Sequence, residues 1–204
     1  MTLYLLLGLM VASRLGVDVT GVVALASVAS LALSLALQDA LANVIGGFTL
    51  LSNHPFKAGD FVEIAGQAGT VQTIDITYTR LATPDNKIIS IPNSAVVAAQ
   101  IINYSASGTR RVDINVRVGF DTPAAEVKDA LLRAAQIPTV FAEPAPLAGI
   151  LRYGENSTEY VLQVWTNATD YWKTHFTIHE NIRTEFTAAG IDFAVPRMDV
   201  RMER

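Results

Sequence analysis

The stretch SLALSLALQDALANVIGG (30–47) alternates serine, alanine and leucine before it reaches the pairs Gln38-Asp39 and Gly46-Gly47. It lies at the end of 19 uncharged residues between Asp18 and Gln38. As a helix, such a run is long enough to cross the roughly 30 Å hydrocarbon core of a bilayer. A surface helix of a soluble protein needs an apolar face and a polar one. This run has neither a polar face nor much bulk, so it predicts a membrane-spanning helix.

A helical wheel at about 100° per residue places Leu31 and Leu35 on one line. Small residues flank this line on both sides: Ala24, Val28 and Ala32 on one, and Ser27, Ser30 and Ser34 on the other. Small faces let helices approach closely in a membrane, and identical helices joined by unlike faces can close into a ring. The two leucines would then form an apolar constriction that gates a water path by dewetting. The alternative from the wheel alone is a single-span anchor whose small residues merely pair two helices.

Two weak points follow the leucine line. Gln38-Asp39 puts a polar pair at the end of the apolar run, and Gly46-Gly47 weakens any helix. The segment 40–52 is again helical and apolar but too short to span a second time. We therefore predict a kinked continuation that lies along the inner membrane surface.

The first residues of the chain, TLYLLLGLMVA (2–12), are apolar but short for a spanning helix. Neither a basic leading region nor a small-residue cleavage site marks them as a signal peptide. We expect the chain to begin inside a membrane helix, the alternative being a short interfacial anchor. The charges of Arg14 and Asp18, before the long apolar run, nearly cancel, whereas the positive charge of Lys57 follows it. This asymmetry weakly favours a cytoplasmic location for the part of the chain after the run.

Composition excludes several classes of protein. The 204 residues are 50% hydrophobic and 17% charged, with mean hydropathy +0.32, a net charge of −4 and a pI near 5.3. This charge provides no general attraction to nucleic acid. The absence of cysteine from the sequence excludes disulfides, thiolate metal sites and cysteine nucleophiles.

Short β segments rich in Val, Ile, Thr and Phe follow residue 53, and glycine or Pro-Asp-Asn turns separate them. They are predicted at 60–65, 68–76, 77–83, 86–91 and 99–104. Their close spacing predicts a small barrel. The stretch IPNSAVV predicts a helical turn capped by Asn93 or Ser94.

The last hundred residues alternate strands and helices. Strands are predicted at 109–119, 146–153, 158–166 and 197–202, and helices at 122–135 and 169–189. Thr122 is the expected N-cap of the first helix with Pro123 at its first position, and Gly190 closes the second. The order β-α-β-β-α-β is that of a ferredoxin-like split βαβ unit.

Residues suited to catalysis do not combine into a site. His175 and His179 are one helical turn apart before Glu180, but the pattern is not H-E-x-x-H and suggests no third ligand. We interpret them as solvated helix residues and predict no enzyme, no metal and no cofactor. Trp165, Tyr171 and Trp172 predict core packing or, alternatively, a subunit contact.

The basic pair Arg110-Arg111 opens the predicted strand 109–119. We interpret it as a solvated strand edge. The alternatives are a portal lining and a contact with anionic lipid.

Three stretches together, LALQDALANVIGG (35–47), PFKAGDFVEIAGQAGTV (55–71) and IISIPNSAVVAAQIINYS (88–105), resemble the MscS-like small-conductance mechanosensitive channel family. The resemblance covers essentially positions 4 to 202, and the order and spacing of the last two stretches are specific. It implies a homoheptamer in the inner (plasma) membrane, with several membrane passes per chain and cytoplasmic C-terminal domains. It also implies contacts with lipid and the passage of ions and small solutes.

The fold implied is a membrane α-helical N-terminus, comprising the pore helix and part of a preceding helix, then a small all-β barrel-like domain and an α+β ferredoxin-like domain. The expected domains are 1–53, 54–106 and 107–204. By resemblance Leu31 and Leu35 form the pore constriction, and the flanking small residues are the packing faces that move in gating. Gln38, Asp39, Gly46 and Gly47 fall at the kinks and the inner pore mouth.

Two departures from the family's pattern have consequences. Serines stand where the family often has glycine, and their hydroxyls can bond back to a carbonyl one turn earlier. Asp39 replaces a glycine and would form a ring of negative charge below the constriction. The predicted function is tension-gated release of ions and small solutes on hypo-osmotic shock. The alternative is a non-conducting, membrane-anchored scaffold that binds a soluble partner.

Overall fold

Two helices begin the chain in the computed structural model, which describes residues 2–16 and 18–195. α1 spans Thr2–Arg14 and α2 spans Thr20–Asn53, about 51 Å at 1.5 Å per residue. The carboxylate of Asp18 accepts the backbone N–H of Thr20 at the start of α2. His54 ends α2 in the left-handed conformation (φ 46°), donating its N–H to the carbonyl of Leu50. Pro55 follows and removes the next donor.

α2 stays helical through both predicted weak points. The expected helical continuation over 40–52 is confirmed, and both Gln38-Asp39 and Gly46-Gly47 lie inside the uninterrupted helix, where the expected kinks remain predictions. Any kink there is a bend within one hydrogen-bonded helix. At Gly46-Gly47 the helix is maintained by packing against the β domain, which is described below. This packing supports α2 where its intrinsic helix propensity is lowest.

The five predicted β segments are all present, with ends that differ by up to a few residues. β1 (Phe61–Ile64), β2 (Gln67–Ile74), β3 (Tyr78–Ala82), β4 (Ile88–Pro92) and β5 (Ile101–Asn103) form one sheet in the order β4-β3-β2-β1-β5. The turn between β1 and β2 is Ala65-Gly66, both at positive φ, as a tight hairpin requires. Among the described residues no ladder joins β4 to β5, so the sheet is open at these edges and the predicted barrel is not closed.

The core of this first unit, Met1–Ile102, combines the sheet with the end of the long helix. Leu50 of α2 is 2% exposed and belongs to the same cluster as the inward side chains of the strands. The other buried members are Phe56, Val62, Ile64, Val71, Leu81, Ile91 and Val96. The end of α2 therefore contributes to the core of the β domain.

The second unit, Asn103–Arg204, has strands β6 (Thr109–Val118), β7 (Leu147–Tyr153) and β8 (Thr158–Asn167) in the order β6-β8-β7. α4 (Ala124–Ala134) and α5 (Tyr171–Ala189) pack on the sheet through alternate valines and isoleucines of β6. The sheet has the first-third-second strand order of a split βαβ unit. The predicted strand 197–202 lies outside the described residues. Gly190 caps α5 at φ 66°, as predicted.

Two predicted helix N-caps are wrong. α3 spans Asn93–Ala98 and its N-cap is Pro92, while α4 begins at Ala124 with Pro123 as N-cap, so Thr122 lies before the cap. Neither cap makes a side-chain hydrogen bond. The side chains of Asn93 and Ser94 are used in tertiary hydrogen bonds instead, which the sequence pattern does not reveal.

Candidate functional site

The first two thirds of α2 are not covered by any of the residues that the structure describes. Every residue from Gly21 to Ala42 is exposed, and the side chains include many large apolar ones. Leu31 and Leu35 are each 62% exposed. Over the described residues this is the one helix long and apolar enough to cross a membrane. So much uncovered apolar surface needs lipid or further copies of the helix.

The serine hydroxyls of this surface bond within their own helix. Ser27 Oγ donates to the carbonyl of Val23, and Ser34 Oγ donates to the carbonyl of Ser30, each at 2.8 Å. The predicted back-bonding is therefore confirmed at these two positions. Because these two hydroxyl groups already donate hydrogen bonds within α2, they do not need an acceptor on a neighbouring helix. The serine face can therefore pack through its small side chains.

The polar pair at the end of the apolar run is exposed. Gln38 and Asp39 both lie on the uncovered part of α2. The carbonyl of Asp39 accepts a hydrogen bond from the Nδ2 of Asn43 at 2.9 Å. That bond orients the Asn43 amide so that its oxygen is available to the β domain.

Asn43 attaches α2 to the short helix α3. Its Oδ1 accepts the backbone N–H of Ser94 at 3.0 Å and the Ser94 hydroxyl at 2.8 Å. Ser94 lies in the first turn of α3, where backbone N–H groups have no partner within the helix. The side chain of Asn43, 51 residues earlier in the sequence, thus caps the N-terminus of α3.

Gly46 and Gly47 lie at the closest approach of α2 to the β domain, and both are buried. A Cβ on Gly46 would lie 2.8 Å from the carbonyl carbon of Asn93. A Cβ on Gly47 would lie 2.7 Å from the Asn93 Nδ2 and closer still to the carbonyl oxygen of Ile76. The glycine pair therefore permits the two backbones to come into contact here. Close packing thus explains why glycines occupy these positions, in addition to the predicted weak point in the helix.

Asn93 holds the facing surface in place and is completely buried. Its Nδ2 donates to the carbonyls of Asp75 (2.9 Å) and Ile76 (3.1 Å), and its Oδ1 accepts the hydroxyl of Thr79 at 2.8 Å. Both donors of the amide are used, together with its acceptor. Asn43, Asn93 and Ser94 were not among the predicted site residues, although the spacing of Asn43 before the glycine pair and the motif IPNS carry the signal.

The predicted pore residues remain predictions, since the contacts expected of them are with the same helix in further copies of the chain. The structure does place the whole set on one exposed helix: Ala24, Ser27, Val28, Ser30, Leu31, Ala32, Ser34 and Leu35. It separates the predicted kink residues into two groups. Gln38 and Asp39 are exposed, whereas Gly46 and Gly47 are buried against the β domain.

The histidine pair belongs to a row of rings on α5. The ring centroids of His175 and His179 are 4.6 Å apart, and Trp172 and Phe176 stack beside them. His175 is half-buried rather than solvated, and burial, then the charge of His175, lowers the pKa of His179. Across the described residues no third His, Cys, Asp or Glu joins the pair as a metal ligand.

The two arginines of the basic pair differ. Arg111 forms an exposed ion pair with Asp113, Nε to Oδ1 at 2.7 Å, as an arginine on a solvated strand does. Arg110 is stacked between two tyrosine rings, so its assignment to a solvated edge is wrong. Tyr171 packs against the core as predicted, while Trp172 is 53% exposed.

Comparison with known proteins gives the same architecture in two consecutive matches. Residues 39–106 match the family described as "Mechanosensitive ion channel, beta-domain", and residues 112–193 match "Mechanosensitive ion channel MscS, C-terminal". The crystal structure of Helicobacter pylori MscS in its closed state superposes with a TM-score of 0.89 at 26% identity, covering 96% of this chain and 78% of that one.

Two curated relatives indicate the same family. A small-conductance mechanosensitive channel of Edwardsiella ictaluri is 37% identical over 175 residues, 85% of this chain and 61% of the relative. An uncharacterized MscS family protein of Buchnera aphidicola subsp. Schizaphis graminum is 30% identical over 190 residues, 93% of this chain and 67% of the relative. The fold and these matches define the class as that of MscS-type proteins. The chain belongs to the MscS-like mechanosensitive channel family and spans about three fifths of the length of its Edwardsiella relative.

Proposed function

We propose that this chain forms the pore and the cytoplasmic part of a homoheptameric channel, opened by membrane tension, that releases ions and small solutes on hypo-osmotic shock. The observation that carries the proposal is α2. Its exposed part is long enough to span a bilayer, and its last turns are fixed to a folded domain by Asn43, Gly46 and Gly47. A free anchor would not need such an attachment.

In the proposed assembly, Ala24, Val28 and Ala32 of one helix meet the serine face of the next. Leu31 and Leu35 then surround the axis and exclude water from it. Tension favours whichever state occupies more membrane area, and only that difference shifts the equilibrium. The pore helices tilt and slide along their small faces, the leucine ring widens, and water and ions pass.

The proposed location is the inner membrane with the β domain and the C-terminal unit in the cytoplasm. Lys57, immediately after α2, supports this orientation through the excess of basic residues found on cytoplasmic sides. The expected partners are further copies of the chain and membrane lipid. A scaffold that anchors a soluble partner is the competing outcome of the experiment below.

Leu35→Ser tests the pore assignment directly. A hydroxyl at the constriction stabilises water there, so the closed state loses stability and the channel opens at lower tension. The measurement is the tension at half-maximal current in liposome patches of the purified chain.

The matched control is Leu33→Ser, because Leu33 is 61% exposed on the same helix but lies about 160° from Leu35 on the wheel. We expect the control to keep the threshold of the wild type. Equal thresholds for Leu35→Ser and wild type would exclude Leu35 from the constriction. Absence of any tension-dependent current, in a protein that runs as a heptamer, would favour the scaffold.

A further inference from the structure

The first residues of the C-terminal unit form a folded turn. We call residues 103–108 the connector, because this segment begins at the last residue of β5 and leads into β6. The Oδ1 of Asn103 accepts the backbone N–H groups of Ser105 (2.9 Å) and Ala106 (3.0 Å), and Gly108 donates to the carbonyl of Ser105 at 3.0 Å. Gly108 has φ 68°, a conformation that glycine adopts without strain.

Both ends of the connector are attached to the rest of its unit. The carbonyl of Gly108 accepts the N–H of Ala168, in the turn before α5, at 2.9 Å. Near the other end, the ring of Tyr104 lies 4.4 Å from the Arg110 guanidinium carbon. The same guanidinium carbon lies 3.6 Å from the centroid of the Tyr171 ring, at the start of α5.

A guanidinium between two aromatic rings is attracted electrostatically to each face, and more strongly when it is partly withdrawn from water. Arg110, Tyr104 and Tyr171 are all half-buried. Arginine suits this position because its planar group stacks while lysine offers only a point charge. Arg111, its neighbour in sequence, forms an ion pair with Asp113.

We propose that Arg110 is a positioning residue that makes the connector a rigid part of the C-terminal unit, so that a displacement of β5 during opening moves that unit instead of being absorbed by a slack linker. The functional half of this inference rests on the proposed channel function. With a rigid connector, opening of the channel also requires movement of the C-terminal unit, which raises the free energy that tension must supply. Release of the connector therefore lowers the tension needed to open.

The first test measures deuterium exchange of the backbone amides of 104–109 in the full chain, reconstituted in lipid. Arg110→Ala is expected to raise exchange there by roughly tenfold, since loss of stacking on two rings is worth about one factor of ten or more. Tyr171→Leu should do the same, and Tyr171→Phe, which keeps the ring, should not. Arg111→Ala is the matched control and should leave exchange unchanged. If Arg110→Ala does not fold, Arg110→Lys should give an intermediate rate.

The second test measures the opening tension of the same variants in liposome patches. Arg110→Ala and Tyr171→Leu are expected to open at lower tension, with Tyr171→Phe and Arg111→Ala at the wild-type value. Unchanged exchange in Arg110→Ala would overturn the whole inference. Faster exchange with an unchanged threshold would overturn its mechanical half. A wild type without tension-gated current would refute the proposed function, and the exchange rates would still decide the role of Arg110.

Discussion

Gly47 occupies a position where one methyl group changes the attachment of α2. A Cβ there would overlap the Asn93 amide and the Ile76 carbonyl, and neither can retreat because Asn93 is buried and fully hydrogen-bonded. Gly47→Ala should therefore lower the free energy of unfolding by about 1–3 kcal/mol, the usual cost of overpacking. Thermal unfolding in detergent measures it.

The control is Gly21→Ala, since Gly21 lies in the same helix and has no atom within 4 Å of its would-be Cβ. Alanine has the higher helix propensity, so this variant should be neutral or up to about 1 kcal/mol more stable. Equal stabilities for the two variants would show that the close approach at Gly47 is absent in the membrane protein.

At the scale of the element, α2 has a carboxylate directly after its apolar part. Repeated around a ring, Asp39 would concentrate cations at the inner mouth. Asp39→Asn should therefore shift the reversal potential in a salt gradient toward anion permeation. Asp129→Asn, an exposed carboxylate on α4, is the control and should have the smaller effect. A reversal potential unchanged by Asp39→Asn would remove Asp39 from the ion path.

α5 carries a pH dependence through His179. Burial, together with the charge of His175, lowers the pKa of His179 below its ordinary 6.5, so the unfolded chain binds this proton more readily than the folded one. The contribution of His179 to the free energy of unfolding is therefore fully present above pH 6.5. It decreases as the pH falls below that value. His179→Gln should lose less stability between pH 7 and pH 5 in denaturant titrations. Lys173→Gln, on the same helix, should behave as wild type, and identical pH profiles for all three would contradict the prediction.

The elements were largely predictable because local patterns specify them. The exposed span of α2, the five strands between residues 61 and 103 and the glycine stop at Gly190 each have a signal in adjacent residues. Asn93 and Arg110 were misjudged because their roles depend on partners distant in sequence. The glycine pair shows most clearly what the sequence cannot distinguish. Glycine is the residue expected at a flexible point of a helix and also at a close approach of two backbones, so its presence does not say which of the two applies.

For the whole molecule, the end of α2 and the β domain share one hydrophobic core. The predicted boundary after residue 53 separates Leu50 from the β core to which it belongs. Leu50→Ala should lower the free energy of unfolding of the β domain by about 2–5 kcal/mol. Leu51→Ala removes the same atoms from a side chain that is 48% exposed and should cost much less. Comparable losses for the two would place Leu50 outside the core.

The shared wall between α2 and the sheet also constrains the order of events during synthesis. The β domain emerges from the ribosome after α2, yet its core closes only when Leu50, Gly46 and Gly47 are in place. In the proposed channel, the end of α2 must therefore stay accessible at the membrane surface until β4 and α3 have been made. An insertion machinery that drew those last turns of the proposed pore helix into the bilayer would leave the β domain unable to finish folding.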